Sequence, residues 1–132
     1  MGIIYRIDPN QRIVFTYIEG TVTDDDIAPY VDAVWRDLAG AVFDGLIDAS
    51  AVKLVAITRR GIQRSANLTT RLNRTRARYR VAIVAPQDIV YGVGRMVEVY
   101  REGTLGAVQV FRTYEEALAW LRPAADVVQA VE

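Results

Sequence analysis

Residues 79–85 read YRVAIVA, a nearly continuous apolar run that ends before Pro86. Such a run is typical of a central strand in a parallel sheet, because helices cover both faces of that strand. Residues 46–47 form a shorter apolar segment that ends in Asp48 and predicts the core of a second buried strand. Residues 107–111, AVQVF, predict a last strand. These three segments indicate a buried, parallel sheet.

Helical patterns lie between and after these strands. Thr23 is a predicted N-cap for a helix that ends near Gly40, and a second helix is predicted from about residue 57 to residue 73. In a third helix, apolar residues recur at spacings of four, three and four, namely Ile89, Val93, Met96 and Tyr100. A capping-box pattern at residues 113–116 opens a last helix, which Pro123 closes.

The N-terminus predicts an antiparallel hairpin, because two β-rich runs at residues 3–7 and 12–18 flank a turn-forming group, DPNQ. The complete order of elements is then ββαβαβαβα. With right-handed crossovers, this order predicts an α/β fold whose five-stranded sheet is mostly parallel, with an antiparallel N-terminal hairpin strand and helices on the sheet faces. We expect a single domain over residues 1–123 and a C-terminal tail over residues 124–132, since 132 residues is a common size for one domain.

The composition excludes several chemistries. The chain has 16 basic and 16 acidic residues but no histidine and no cysteine. Disulfides, thiolate zinc sites, cysteine nucleophiles and serine–histidine–aspartate triads are therefore excluded, and Lys53 is the only lysine for amine chemistry. We expect a non-enzymatic protein without a cofactor or a metal. Early charge at the N-terminus and the lack of a long apolar window predict no signal peptide, no membrane insertion and a cytoplasmic location.

The basic residues are concentrated between residues 49 and 87, a stretch that contains nine of the sixteen and no acidic residue. On a helical wheel, the predicted buried stripe of the second helix comprises Ile57, Gly61, Ser65, Leu68 and Leu72. Along one flank of this stripe lies what we call the arginine face, formed by Arg60, Arg64 and Arg71.

The arginine face is a candidate site for phosphate, nucleic acid or an acidic partner, because guanidinium forks match oxyanions. The alternatives are pairing with the acidic first helix or plain solvation. Base stacking is not expected, since Tyr79 is the only aromatic residue of the basic stretch.

A second candidate site follows the strand that is predicted to end at Asp48. Ligands of open α/β folds bind at the carboxyl ends of the parallel strands. We therefore predict a loop from Asp48 to Arg60 that binds a ligand or partner through Asp48, Ser50, Thr58 and Arg59. The alternative is that Asp48 only caps the following loop.

Two further features have both structural and functional interpretations. The three aspartates at residues 24–26 stabilise a helix start, which explains them without a magnesium ion. Gly92 and Gly94 interrupt the third helix, where each costs about 1 kcal/mol relative to alanine, so we expect close packing or an approaching ligand or subunit there. They do not form a dinucleotide-binding fingerprint, because a third glycine would fall at Val97.

The order of elements and three segments resemble the SpoIIAA-like family, whose fold is that of STAS (anti-anti-sigma) domains and is compared with the SEC14 lipid-binding fold. The segments are residues 46–50, LIDAS, residues 80–84, RVAIV, and residues 110–121, VFRTYEEALAWL. In anti-anti-sigma factors, a turn after the strand carries a serine that a partner kinase phosphorylates. The matching turn here is residues 56–59, in which Thr58 keeps a hydroxyl while the aspartate and glycine are absent.

The resemblance implies a regulatory or binding module that engages a protein partner or a small ligand. The alternatives are an anion or nucleic-acid binder that uses the arginine face, a binder of a small apolar, lipid-like ligand, and an enzyme built on Asp48. Self-association as a homodimer is also expected, since Trp120 lies close to an apolar tail with Val127, Val128, Ala130 and Val131.

Overall fold

The computed structural model describes residues 2–122, which form five strands and four helices in the predicted order. The strands are β1 (Gly2–Asp8), β2 (Ile13–Thr23), β3 (Asp44–Ala56), β4 (Tyr79–Val84) and β5 (Gly106–Phe111). The helices are α1 (Asp24–Leu38), α2 (Arg59–Leu72), α3 (Asp88–Tyr100) and α4 (Tyr114–Leu121). None of these helices is both long and apolar enough to cross a membrane. Pro123 and the predicted tail at residues 124–132, including its apolar residues, lie outside the described residues.

The five strands form one sheet in the order β1-β2-β3-β4-β5. β1 pairs antiparallel with β2, and the other neighbours pair in parallel. Because parallel crossovers are right-handed and each new strand is added at the same edge, α1, α2 and α3 lie on one face of the sheet. α4 covers the other face, where Ala117 packs with Ile13, Leu46 and Ala82. The predicted α/β fold class is therefore confirmed.

Local sequence signals determine where several elements begin and end. Asp8 accepts hydrogen bonds from two backbone N–H groups of the hairpin turn, at 3.0 and 3.1 Å. At the start of α1, the Asp26 carboxylate accepts a hydrogen bond from the Thr23 backbone N–H at 2.8 Å, as in a capping box. α1 ends where Ala39 adopts a left-handed conformation, with φ at 51°. These contacts confirm the predicted turn and the predicted N-cap.

β3 is longer than the sequence analysis predicts, and the predicted strand end at Asp48 is wrong. β3 pairs with β4 only as far as Asp48, opposite Val84, and then continues beside β2 as far as Ala56. Residues 51–56, AVKLVA, suit a strand because valine and leucine pack well on a pleated surface, and the long β2 offers them partners. The predicted loop is therefore replaced by a strand and a two-residue connection to α2.

α2 turns a different face to the sheet from the one predicted. Its buried residues are Ile62, Ala66 and Thr69, whereas the predicted stripe is only half-buried. The rotation places the arginine face on the side of α2 that points away from the sheet, instead of along the flank of the buried stripe. The reason is that small and apolar residues occupy neighbouring rows of this helix, so spacing alone does not select the buried row.

α3 also differs from the prediction. Val90 and Gly94 are buried, whereas Ile89 and Met96 of the predicted apolar stripe are 75% and 40% exposed. The helix is rich in valine on several sides, and close packing against β5 at Gly94 selects the buried row. An apolar row consequently remains on the outer side of α3.

Candidate functional site

A cavity of about 230 Å³ lies between the layer of helices and the sheet. α1, α2 and α3 line it on one side and β2, β3, β4 and β5 on the other, and most of the lining side chains are apolar. On the strands these are alternate residues, such as Val14, Ile18, Ile47 and Ala49, because successive side chains point to opposite faces of a sheet. The fold therefore contains an apolar space between the sheet and the layer formed by α1, α2 and α3.

The apolar face of α1 forms the roof of this cavity. The roof residues all line the cavity and are half-buried, and they are Ile27, Tyr30, Val31, Val34 and Trp35. Leu38 is the buried residue of the helix. An apolar side chain that other protein atoms cover on only part of its surface makes fewer dispersion contacts than a side chain in a packed core. An apolar occupant would therefore stabilise this arrangement.

Contacts between the N-termini of α1 and α2 hold one end of the roof. Asp24 accepts a hydrogen bond from the Thr58 backbone N–H at 3.0 Å and another from the Thr58 hydroxyl at 2.6 Å. These hydrogen bonds hold the pKa of Asp24 below its usual value, with a smaller contribution from the charge of Arg64. Gly61 leaves room for the carboxylate, because a side chain there would overlap Asp24. The first aspartate of α1 thus links two helices.

Tyr30 brings a hydroxyl group to the middle of the roof. Its oxygen lies 2.6 Å from the hydroxyl oxygen of Thr16, a buried residue of β2. Burial raises the pKa of Tyr30 to about 12, so the phenol is neutral at physiological pH. This hydrogen bond ties α1 to the sheet at one point without adding charge to the cavity.

Polar side chains line the other end of the cavity. Arg101 follows α3 and donates a hydrogen bond from Nη2 to the hydroxyl of Tyr79 at 2.7 Å, and its Nε donates to Thr104 Oγ1 at 3.4 Å. Trp35 packs edge-to-face on the Tyr79 ring, with the ring centroids 5.6 Å apart. Burial raises the pKa of Tyr79, and the charge of Arg101 opposes that shift. This group was not predictable from the sequence, because Tyr79 and Arg101 belong to no motif and lie 22 residues apart.

The residues of the predicted loop do not come together. Asp48 lies on the sheet face opposite the cavity, among Phe15, Leu46 and Tyr114, and its Oδ1 accepts hydrogen bonds from the backbone N–H and the hydroxyl of Ser50. Thr58 and Arg59 lie beyond the far end of β3, roughly 25 Å further along an extended strand. Asp48 thus orders its own strand, and the four residues do not share one loop.

The two glycines of α3 have different surroundings. A Cβ atom added to Gly94 would lie 2.6 Å from Val110 Cγ2, so the close approach of α3 to β5 requires glycine there. At Gly92, an added Cβ would meet no atom of the described residues within 4 Å. The predicted close packing therefore applies to Gly94, and nothing in the structure explains Gly92.

Comparison with solved structures identifies the fold. An uncharacterised DUF3478-family protein with a SpoIIAA-like fold, from Shewanella loihica PV-4, matches 91% of this chain and 94% of its own at a TM-score of 0.59 and 21% identity. The chain has a SpoIIAA-like fold. The anti-sigma factor antagonist SpoIIAA, in its unphosphorylated form, matches 92% of this chain and 98% of its own at a TM-score of 0.51 and 14% identity. No family model and no curated protein matches the sequence.

Within this SpoIIAA-like fold, Thr58 is the N-cap of α2 and accepts a hydrogen bond from the Gly61 backbone N–H at 3.0 Å. Its hydroxyl therefore bonds to both Asp24 and α2.

The arginine face lies on the same helix and is exposed. Across residues 2–122, none of its guanidinium groups lies within 4 Å of a carboxylate. The ion pairs with the acidic first helix, which were one alternative, do not form in this part of the chain.

Proposed function

We propose that this SpoIIAA-like chain is a non-enzymatic binding module that holds a small apolar molecule between its helices and its sheet. The observation that carries the proposal is the half-buried apolar face of α1 above an apolar cavity of about 230 Å³. A ligand in the cavity would remove the roof from water, and each square ångström of apolar surface so buried contributes about 25 cal/mol. The lack of histidine and cysteine in the sequence supports binding rather than catalysis.

The volume of the cavity limits the size of the ligand. Pockets for drug-sized molecules measure roughly 300–1,000 Å³, and this cavity of about 230 Å³ is smaller. A short hydrocarbon chain or a single ring fits such a space. The few polar groups, at Tyr30 and at the end formed by Tyr79 and Arg101, would fix the orientation of the ligand.

Binding of octan-1-ol, measured by isothermal titration calorimetry, tests this proposal. Val31→Phe enlarges a roof side chain into the cavity and should weaken binding by about tenfold or more. Ala28→Phe is the matched control, because Ala28 is an exposed residue of the same helix outside the cavity lining. Failure of the wild type to bind, or equal binding by the two variants, would contradict the proposal.

Binding of a protein partner is a second candidate function, and the outer row of α3 supports it. Ile89, Met96 and Val99 lie along one side of the helix and are 75%, 40% and 63% exposed. Exposed apolar rows of this kind mark interaction surfaces. SpoIIAA, which is similar in structure, is an anti-sigma factor antagonist.

A second copy of the chain is the partner that can be tested directly. Sedimentation of the wild type should show a dimer at high concentration, and the combined change Ile89→Ser and Val99→Ser should restore the monomer. Leu54→Ser is the control, because Leu54 is a similarly exposed apolar residue on β3, at 57%. If the wild type is monomeric at every concentration, the proposal of self-association through this row is contradicted.

A further inference from the structure

Arg101 brings a positive charge to one end of the apolar cavity, where it is half-buried beside Tyr79. A guanidinium group has five N–H donors, and the hydrogen bonds to Tyr79 and Thr104 use two of them. Within residues 2–122, no carboxylate lies within 4 Å of Arg101. A half-buried cation that forms no ion pair with the described residues is unfavourable, so this position favours an anion from outside the described part of the chain.

The residues around Arg101 hold its guanidinium group in place. A side chain on Gly106 would overlap both the guanidinium group and the Tyr79 ring, so the space that these two groups occupy depends on glycine. Trp35 packs against the same ring. The Tyr79 hydroxyl accepts a hydrogen bond from Arg101 and retains its own proton, because burial raises its pKa. The hydroxyl is therefore a further donor at this end of the cavity.

We infer that the cavity binds a single-chain amphipathic acid, whose carboxylate is held by Arg101 and Tyr79 and whose hydrocarbon chain lies beneath α1. This inference rests on the proposed function and adds the chemical class of the ligand. Guanidinium groups bind carboxylates through paired N–H donors, and the apolar walls suit only a hydrocarbon chain. The volume of about 230 Å³ is below the roughly 300–1,000 Å³ of pockets for drug-sized ligands, which suits an acid with a short chain, such as octanoate.

One acidic side chain of the cavity acts against an anionic ligand. Asp44 lies at the start of β3 and lines the cavity, and its Oδ1 accepts a hydrogen bond from the Arg80 backbone N–H at 2.9 Å. Its negative charge would repel a second carboxylate, and would repel a doubly charged phosphate more strongly. Asp44→Asn should therefore tighten the binding of octanoate by about two- to fivefold and leave the binding of octan-1-ol unchanged.

Calorimetry with octanoate and octan-1-ol tests the inference. Arg101→Gln removes the charge but keeps N–H donors for Tyr79, and it should weaken octanoate binding by about 10- to 100-fold while octan-1-ol binding changes less than about twofold. Arg95→Gln is the matched control, because Arg95 is an exposed arginine of α3, the helix that Arg101 follows, and pairs with Glu98 at 2.7 Å outside the cavity. It should change the affinity for neither compound.

The outcomes separate this inference from the proposed function. Binding of octan-1-ol together with equal octanoate affinity in wild type and Arg101→Gln would overturn the inference and leave apolar binding intact. Binding of neither compound would overturn both. If Arg101→Gln does not fold, the wild type and Asp44→Asn provide the test. The wild type must bind octanoate more tightly than it binds octan-1-ol or octylamine, and Asp44→Asn must bind octanoate more tightly than the wild type does. Tighter binding of octyl phosphate than of octanoate would overturn the assignment of a carboxylate.

Discussion

Gly92 and Gly94 lie two residues apart in α3, but alanine should have opposite effects on stability at these positions. At Gly92 the new methyl group meets no described atom within 4 Å, so Gly92→Ala should stabilise the protein by about 1 kcal/mol through helix propensity alone. At Gly94 the same gain is offset, because the methyl carbon would lie 2.6 Å from Val110 Cγ2 and 2.8 Å from Val110 Cβ. Val110 is only 4% exposed, so it has little room to move.

Overpacking of this kind costs about 1–3 kcal/mol, which leaves Gly94→Ala less stable than the wild type by about 0–2 kcal/mol. The two variants should therefore differ by about 1–3 kcal/mol in the free energy of unfolding. For a chain of this size, each kcal/mol corresponds to roughly 3–5 °C in Tm. Urea unfolding and thermal melting of the two variants and the wild type measure the difference.

A double-mutant cycle shows whether Val110 is the cause of the difference. Val110→Ala removes the obstructing methyl groups, so Gly94→Ala should cost less in that background, and the two changes should be non-additive by about 1 kcal/mol or more. Gly92→Ala should be additive with Val110→Ala. If Gly94→Ala stabilises the protein as much as Gly92→Ala does, or if the cycle shows no coupling, the close approach of α3 to β5 is refuted.

Three further predictions concern the junction of α1 and α2 and the arginine face. Thr58→Val removes the N-cap acceptor of α2 and the hydroxyl bonded to Asp24, so it should destabilise the fold by about 1–2 kcal/mol in urea unfolding, whereas Thr58→Ser should have little effect. Because the pKa of Asp24 is lowered on folding, its contribution to stability is present above its usual value of 3.8 and is lost as the pH falls through the lowered pKa. The stability difference between wild type and Asp24→Asn should accordingly shrink as the pH falls below 3.8, and a difference that stays constant through this acid range would contradict this assignment. If the arginine face binds nucleic acid, the affinity for a DNA duplex should fall steeply with increasing salt and should be lost when all three arginines are replaced by glutamine. An affinity that does not change with salt would contradict nucleic-acid binding by this face.

Continuous apolar runs predicted the inner strands, because such strands are buried on both faces. Periodic spacing predicted the helices, because a helix that is buried on one face imposes its own spacing on the residues that it buries. Capping at Thr23 and the turn at Asp8 were also predictable, since each depends on contacts within three residues. The end of β3 was not predictable from its own residues, because residues 51–56 become a strand through pairing with the long β2. The prediction of a loop beginning at Asp48 was wrong for this reason.

The candidate cavity was not visible in the sequence. Its roof residues follow the same spacing that a fully packed helix would show, and the sequence does not record how far α1 lies from the sheet. Tyr79 and Arg101 are in contact because β4 and the end of α3 reach the same end of the cavity. The contact also requires glycine at position 106 of β5, so it depends on residues from three separate parts of the chain. Thr58 was a candidate residue from the sequence alone. Its hydrogen-bond partner Asp24 was not predictable, because it lies 34 residues away and reaches Thr58 only through the packing of the two helix ends.

The sequence by itself determined the types and order of the elements and the mostly parallel direction of the sheet, because these depend on local spacing and on the handedness of L-residue crossovers. The SpoIIAA-like fold was predicted from a family resemblance, which the solved structures support. The tertiary structure decided which face each helix buries, as at Gly94 in α3, and how much space remains beneath α1. The rotation and separation of packed layers depend on many side chains that are distant in the chain and must fit together at once.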